Sequence, residues 1–508
     1  MPESMNPEPS SGDAPPRRTR PAWLWPALAF LAVGGMAVSS QSFWIDEACT
    51  TWKARQPTLA AWWQEMKAMS GSDLQMPLYM VYVWGWHKIF GHGEWWMRAA
   101  NIPWFLMGVL TFARRRLDLL LAAALSPFAW YCLDEARPYG MQIGASALIV
   151  GALLRLYQGG LAPARPSERW WAWGLSFGLI ALSGSSLLGM IWAGAAVGAT
   201  LLSFPWPRQR ALLRAHPGPG LAAAVCCLSL AAYYLWTLKT GAGASTAATT
   251  DARSALFVTF ELLGFSGLGP GRLDIRGGGL EAFRAHLAPL LVYALVIVGV
   301  LAAGLARLKR SAPFKVLMIC AAVVGGVSAF LLVAGSVKHF RVLGRHFAPA
   351  LPVVLLCVGT GLRSLWERGS LGSRTWASGF VVLSLASCLS LRWAGRHAKD
   401  DYRAAAALAT NALAAGEVVW WAADPAAGRF YGVPVPSEPV LAPPAGQAVR
   451  IYSDTRQWLD QAPKPDLVLF SKPDLYDAQG SLAGYLTQGG YRRVRQLPAF
   501  TVWRRASR

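Results

Sequence analysis

Charged side chains are scarce in this chain of 508 residues: they make up 15% of it, whereas hydrophobic residues make up 54%. A soluble globular domain has about 25% charged residues, disordered chains are poor in apolar residues, and fibrous proteins show a repetitive composition. The composition therefore excludes these three classes. Its long apolar runs instead predict a membrane protein that crosses the bilayer many times.

Several common motifs are also missing. The seven cysteines form no CxxC pair and show no metal-ligand spacing, so neither a disulfide framework nor a zinc site is indicated. We expect free thiols, and a disulfide between Cys49 and Cys132 is the alternative. There is no internal repeat and no glycine fingerprint of a nucleotide-binding loop. Acidic residues number 27 against 48 basic ones, a net charge of +21. In a membrane protein, the distribution of such an excess of Lys and Arg helps to decide which loops lie on which side of the membrane. We therefore expect no nucleic-acid partner.

Apolar runs divide the chain into about eleven predicted spans. Several are only about 16–18 residues long, the lower limit for crossing hydrocarbon. The runs are Trp23–Val38, 99–113, 117–132, 138–154, 170–187, 188–203, 219–238, 286–306, 315–335, 348–363 and 376–392.

The distribution of Lys and Arg predicts which loops lie inside. With an inside N-terminus, the inner loops hold 16 Lys and Arg in 57 residues and the outer loops 14 in 123, as the positive-inside rule requires. Large outer loops then cover 42–98 and 239–285. The runs 170–187 and 188–203 could also form one long helix, which would reverse every later span.

Three regions follow from this map. Residues 1–21 are predicted to be a disordered cytoplasmic tail, and 22–392 an all-α membrane domain. In residues 393–508 the apolar spans stop and short helical and strand patterns alternate, which predicts a small extracytoplasmic α/β domain.

Unusual polar residues gather on the predicted outer face. Asp46 and Glu47 follow the first span, Asp134, Glu135 and Arg137 lie in a very short loop, and a basic cluster around Arg345 precedes a late span. Each has an ordinary alternative: a solvated loop, a local ion pair and a contact with bulk lipid headgroups. Together, carboxylates and cations at one face suit a reaction with a phosphate leaving group, because a carboxylate takes a proton and cations hold the departing charge.

Several of these segments occur in the order typical of a known superfamily. They are Asp46-Glu47, Pro77-Leu78-Tyr79, Phe90-Gly91 with Glu94 and Arg98, Ser126-Pro127, Asp134-Glu135-Ala136-Arg137-Pro138-Tyr139-Gly140, Arg345 with Pro349 and Pro352, and Asp401-Tyr402-Arg403. In this order the chain resembles the GT-C superfamily of polytopic glycosyltransferases, and most of all the bacterial mannosyltransferase-like proteins related to protein O-mannosyltransferases and lipid A aminoarabinose transferases. The resemblance covers most of the chain and is dense over residues 40–150.

The resemblance implies a GT-C-like fold in the bacterial inner membrane and transfer of a sugar from a polyprenyl-phosphate donor, with inversion, to a lipid, glycan or protein acceptor on the outer face. Asp46 would be the base, with Glu47 or Glu135 a supporting or metal-binding carboxylate. The substrate-binding candidates are Tyr79, Arg98, Asp134, Glu135, Arg137, Tyr139, Arg345 and His346. Among these, Arg137 and Arg345 would contact the donor phosphate.

The chain departs from the family pattern at two places that bear on the donor and on a metal. Many relatives carry Lys-Pro-Pro or His-Pro-Pro where this chain has Gln75-Met76-Pro77, and Ser183–Ser186 replaces a His-Tyr pair. The sugar and any divalent metal ion therefore stay open. Cation ligands could come from His87, His92, His339 and His346, although such histidines are more often hydrogen-bonded fillers.

Two other functions remain as alternatives. A lipid or sugar transporter, or a flippase, would carry ionisable residues and broken helices near the bilayer midplane, whereas these spans are nearly free of charge. A structural assembly component would use its C-terminal domain to bind a partner.

Overall fold

The structure is a computed structural model, and it describes residues 24–69, 71–114, 116–159, 166–240, 250–311, 314–451 and 456–506. The predicted tail, 1–21, lies outside the described residues. The described chain forms a large helical part followed by a small α/β domain. This confirms the fold class expected from the sequence.

Nineteen α-helices precede residue 394 in the described part of the chain. They are α1 (Leu24–Ala37), α2 (Ile45–Ala54), α3 (Leu59–Met69), α4 (Pro77–Phe90), α5 (Glu94–Ala99), α6 (Ile102–Ala113), α7 (Leu117–Ala124), α8 (Pro127–Leu133), α9 (Tyr139–Gln158), α10 (Glu168–Ser185), α11 (Leu187–Ser203), α12 (Trp206–Ala215), α13 (Pro217–Lys239), α14 (Ala252–Leu262), α15 (Arg272–Gly278), α16 (Leu287–Leu308), α17 (Phe314–Val337), α18 (Leu351–Glu367) and α19 (Leu371–Trp393). Short 3-10 turns lie between some of them, among them Gly344–Ala350 just before α18.

Six helical segments of the described chain are long and apolar enough to cross a membrane: α9, α13, α16, α17, α18 and α19, two of which, α16 and α18, are extended by the helical segments that precede them. A seventh is counted if α11 and α12, which meet at a bend of 113°, form one broken span. The predicted count of eleven spans thus stays a prediction. The run 117–132 is not one helix, because the chain breaks between α7 and α8, where Ser126 caps the new helix and Pro127 opens it.

Ser186 separates the two runs that the sequence left ambiguous. Its backbone is extended, with φ −170° and ψ 167°, and its hydroxyl accepts a hydrogen bond from the N–H of Gly189. A serine N-cap of this kind starts a new helix. Residues 168–203 are therefore two helices that pack against each other, and not one long helix.

Glycines bring the central helices into backbone contact. A Cβ on Gly144 of α9 would lie 2.1 Å from the carbonyl oxygen of Trp104 in α6, and one on Gly304 of α16 would lie 2.1 Å from that of Cys357 in α18. Apolar surface gives little drive for association inside lipid, so close backbone approach at small residues is how such helices pack. These contacts fix the helices whose ends carry the candidate site.

The described part of the C-terminal domain contains five α-helices and a five-stranded sheet. The elements are α20 (Tyr402–Ala414), β1 (Val419–Ala422), α21 (Pro425–Phe430), β2 (Val449–Arg450), α22 (Arg456–Gln461), β3 (Leu467–Ser471), α23 (Pro473–Tyr476), α24 (Ser481–Gln488), β4 (Tyr491–Leu497) and β5 (Phe500–Arg505). The strand order is β2-β1-β3-β5-β4. Strands β1, β2 and β3 are parallel, and β5 runs antiparallel to β3 and to β4. Strands β1 and β3 are buried throughout, as the continuous apolar runs of parallel strands predict.

Candidate functional site

Helix α2 presents two neighbouring carboxylates in different environments. Successive residues of a helix point about 100° apart, so Glu47 is fully buried while the Asp46 side chain keeps 35% of its surface exposed. The apolar Phe43 before them is buried as well and anchors the start of the helix. One carboxylate therefore belongs to the interior, and the other faces an accessible space.

Glu47 is the centre of a buried charge network. Arg98 donates from Nε to Oε1 at 2.8 Å and from Nη2 to Oε2 at 2.7 Å, and the N–H of Ala136 donates to Oε1 at 2.8 Å. The Lys399 ammonium lies 3.3 Å from the same carboxylate. Burial raises the pKa of Glu47, but Arg98 and Lys399 outweigh it and lower the pKa to about 2. Glu47 is therefore held ionised and has its oxygens occupied.

Arg98 also ties down the chain that follows α1. Its remaining N–H groups donate to the carbonyl oxygens of Ser39, Gln41 and Ser42 at 2.9, 2.7 and 3.1 Å. Its side chain is fully buried. Because a guanidinium offers five donors in a rigid fork, Arg98 fixes both Glu47 and the segment leading into α2.

Asp134 joins the ends of distant helices. Its carboxylate accepts from the Ser39 N–H at 2.6 Å and from Arg392, near the end of α19, at 3.2 Å. Lys399 donates to the carbonyl oxygen of Asp134. This residue therefore stabilises the junction between the membrane helices and the C-terminal domain.

Arg137 belongs to a second buried cluster. It pairs with Asp73, and it donates to the hydroxyl of Thr50 at 2.9 Å. Lys53 lies 2.6 Å from the other oxygen of Asp73. Burial raises the pKa of Asp73, and the two cations reverse the effect, so that the net pKa is lowered. Arg137 therefore forms a buried ion pair with Asp73 that contacts α2.

Arg345 lies beside Asp46 at the open part of the site. Its guanidinium is 3.7 Å from the Asp46 carboxylate and 3.6 Å from that of Glu135. The guanidinium also lies over the rings of Trp44 and Tyr139, 4.6 and 5.6 Å from their centroids. Both ion pairs exceed hydrogen-bond distance, and within the described residues the Nε atom has no hydrogen-bond partner. Arg345 is therefore a buried cation with donor capacity left over.

A second arginine that the sequence did not single out completes this open part. Arg272, at the start of α15, lies 2.7 Å from Glu261 and 3.6 Å from Glu135, over the ring of Tyr131 at 4.1 Å. Its side chain is 42% exposed. Tyr131 donates to Glu135. Two cations thus approach Glu135 from different helices.

The other predicted residues lie around this centre. Tyr79 is fully buried, with a hydroxyl that has no partner within the described residues. His346 accepts at Nδ1 from the N–H of Leu343 at 3.3 Å, so its ring stabilises its own turn. No group of three His, Cys, Asp or Glu in the described chain is arranged to hold a metal ion. All seven cysteines are free, as expected.

Some members of the site could not be read from the sequence. In the sequence, three of these members are charged residues outside the predicted spans: Asp73, Arg272 and Lys399. Their pairings depend on how the segments between the long helices fold together. The available signal for Arg272 was its position in the predicted outer loop 239–285, where Arg276 follows it one helical turn later. The pairing of Lys399 with Glu47 joins residues 352 positions apart, and no local pattern indicates it.

Comparison with solved structures identifies the fold. The chain is similar to ArnT from Cupriavidus metallidurans. The apo structure gives a TM-score of 0.51 at 15% identity, covering 95% of this chain and 97% of that one. The structure bound to undecaprenyl phosphate gives a TM-score of 0.50 at 15% identity, covering 95% and 98%. No family model and no curated protein matches the sequence. At this identity the likeness shows the fold alone, and the ArnT-like fold agrees with the helical membrane domain and the small C-terminal domain expected from the sequence.

Proposed function

We propose that this protein is a membrane glycosyltransferase that takes a sugar from a polyprenyl-phosphate donor. The observation that carries the proposal is the pairing of the partly exposed Asp46 with the buried Arg345 at 3.7 Å, near a second cation, Arg272, whose side chain is accessible. A base and a phosphate-binding fork adjacent to each other suit displacement of a phosphate. The ArnT-like fold, which in one structure holds undecaprenyl phosphate, supports the same donor class.

In the proposed step Asp46 takes the proton of an acceptor hydroxyl or amine. The acceptor atom forms a bond to the anomeric carbon of the donor sugar with inversion, and the bond from that carbon to the phosphate oxygen breaks. The electron pair leaves with the polyprenyl phosphate, whose oxygens Arg345 and Arg272 stabilise. Glu47 does not act on the proton in this scheme, because its oxygens are occupied. It fixes α2 and thereby the position of Asp46.

The charge distribution supports a location for this reaction. We place the protein in a bacterial inner membrane as a multi-pass chain, with its N-terminus inside and the C-terminal domain outside, because inner loops are richer in Lys and Arg. The acceptor, whether lipid, glycan or protein, would then be reached from the outer face. Membrane lipids surround the exposed apolar helices such as α13.

Asp46→Asn tests the role of the base. We expect the variant to fold and to bind undecaprenyl phosphate, but to lose about two to four orders of magnitude in transfer, the scale for a lost general base. The measurement is transfer of label from radiolabelled polyprenyl-phosphate sugars to envelope material, with the purified protein in lipid nanodiscs. Asp460→Asn, an equal change at an exposed residue of α22, is the control and should retain full activity.

Two results would contradict the proposal. Near wild-type transfer by Asp46→Asn would show that Asp46 is not the general base. Movement of the labelled lipid across proteoliposome membranes, without covalent transfer by the wild-type protein, would instead indicate a transporter or flippase.

A further inference from the structure

The carboxyl ends of strands β1 and β3 form a distinctive edge of the C-terminal sheet. From β1 the chain passes to β2 on one side, and then crosses to β3 on the other side. The gap between the carboxyl ends of β1 and β3 is therefore a topological switch point, the place where open α/β sheets bind ligands. Asp424 and Lys472 follow the two strands directly at this gap.

Some polar groups at this edge lack an ion pair or a hydrogen-bond partner among the described residues, and one residue has a strained backbone. Asp424 accepts from the N–H of Ala427 at 2.8 Å and forms no ion pair with the described residues. The hydroxyl of Ser471 is buried and has no hydrogen-bond partner among them. Lys472 has a φ of +44°, which a residue with a side chain rarely adopts, and its ammonium pairs with Asp400. Strained backbone and unsatisfied buried groups concentrate at ligand sites.

Contacts on both sides turn this edge toward the candidate site. Helix α21, which follows β1, packs on α2. Its Phe430 also contacts Phe43, just before α2, with ring centroids 5.5 Å apart edge to face. On the other side, Asp474 of α23, directly after β3, accepts from Arg276 at 2.6 Å. Arg276 lies one helical turn after Arg272 on α15. The edge therefore bridges the helix that carries the proposed base and the helix that carries a proposed phosphate ligand.

The electrostatics of Asp424 agree with this placement. Burial raises the pKa of Asp424, and the negative charge of Asp46 raises it further. The two carboxyl groups therefore lie near enough to interact, although one belongs to the membrane domain and the other to the C-terminal domain.

We propose that this carboxyl edge, formed by Asp424, Ser471, Lys472 and Tyr476, binds the acceptor, and that the acceptor is a hydroxyl-rich carbohydrate head group. The inference rests on the proposed transferase function. Carboxylate and hydroxyl oxygens offer directional hydrogen bonds to sugar hydroxyls, and the half-buried ring of Tyr476 offers a flat apolar contact. A ligand held here would present a hydroxyl toward Asp46.

A polypeptide acceptor fits this domain less well. Extended peptides commonly bind by adding a strand to a free sheet edge. Here one edge strand, β2, is only two residues long, and the other, β4, exposes Arg492, Arg493 and Arg495. Short strands and rows of charge are features that prevent strand addition.

Site-specific photo-crosslinking tests the proposal in cells that produce the full chain. Benzoylphenylalanine replaces Leu475, which is 54% exposed on α23, or, as the control, Val494, equally exposed on β4. We expect adducts that carry carbohydrate from position 475 and none from position 494. Asp424→Asn should lower the yield at least fivefold, since it keeps a helix cap but loses the charge, and Asp460→Asn should leave it unchanged. Polypeptide adducts alone, or equal carbohydrate adducts from both positions, would overturn the assignment.

A second measurement separates this inference from the proposed function. Purified wild-type protein and the Asp424→Asn variant are compared for binding of undecaprenyl phosphate and for sugar transfer. We expect equal binding and a transfer rate at least tenfold lower in the variant. If transfer is unchanged, the acceptor edge is refuted and the transferase stands. If the wild-type protein neither binds the lipid nor transfers sugar, the transferase is refuted.

Discussion

Arg98→Met tests the buried network that holds α2 in place. The substitution keeps a long apolar side chain but leaves the Glu47 carboxylate, which is fully buried, with Lys399 as its remaining cation. Removing one partner of a buried ion pair costs about 3–5 kcal/mol. The lowered pKa of Glu47 has the same direction, because Arg98 is the first of the groups that favour its ionised form. We therefore expect Arg98→Met to lower the free energy of unfolding by about 3–5 kcal/mol near neutral pH.

The pH dependence gives the same prediction a sharper form. A carboxyl whose pKa is lowered by folding stabilises the protein above its unfolded pKa, and this contribution is lost as pH falls toward the folded pKa. For Glu47 the loss spans pH 4.5 down to about 2. The difference in stability between the wild-type protein and Arg98→Met should therefore narrow as pH falls through this range.

Unfolding by sodium dodecyl sulfate from dodecyl maltoside micelles, followed by tryptophan fluorescence at several pH values, measures both effects. The double variant Glu47→Gln/Arg98→Met is the matched control, and it should recover part of the loss because no lone charge stays buried. A loss below about 1 kcal/mol in Arg98→Met, or a difference that does not change with pH, would refute the reasoning.

Two further predictions concern the donor site and the helix packing. Arg345→Lys should weaken binding of undecaprenyl phosphate because an ammonium cannot copy the planar fork. Arg345→Ala should reduce the binding free energy for undecaprenyl phosphate by about 2–5 kcal/mol. Arg341→Ala, which changes an exposed neighbour, should reduce it little. Equal small losses of binding free energy at both positions in a binding titration would exclude Arg345 from the donor site. Gly304→Ala places a Cβ 2.1 Å from a backbone oxygen and should lower the free energy of unfolding in the same detergent assay by about 1–3 kcal/mol. Gly325→Ala, where the added Cβ meets nothing within 4 Å, should be neutral, and equal effects of the two glycine changes would contradict the packing argument.

Sequence patterns predict most elements of the C-terminal domain. They indicate a helix at 401–415 and strands at 417–422 and 467–470, and α20, β1 and β3 occupy these positions. The short helices α21 and α23 were not predicted, because so few residues show no helical period. The order of the strands in the sheet could not be predicted, because it depends on contacts between strands that are far apart in the sequence. The break at Pro127 was visible as a proline, yet an apolar run alone does not show whether proline ends a helix or only bends it.

The sequence predicted several residues of the candidate site, but not how their side chains are paired. Residues gathered on one face by the topology, such as Asp46, Glu135 and Arg345, do lie together in the structure. The sequence could not separate Asp46 from Glu47, since two adjacent acids differ only in the direction that the helix gives them. It also placed Arg137 with the donor phosphate, a role that stays a prediction while the structure shows the side chain paired with Asp73.

The contact between Lys399 and Glu47 has a consequence for the synthesis of the protein. The two residues are 352 positions apart, so the ribosome makes the first long before the second. Domains fold as units while the chain emerges, and contacts of long sequence separation form late. Glu47 at the start of α2 therefore has Arg98 as its early partner, and its full set of contacts forms only after Lys399 has been made. Chains cut short before Lys399 would retain α1 to α19 and still lack this contact, which gives quality-control proteases a feature by which to recognise them.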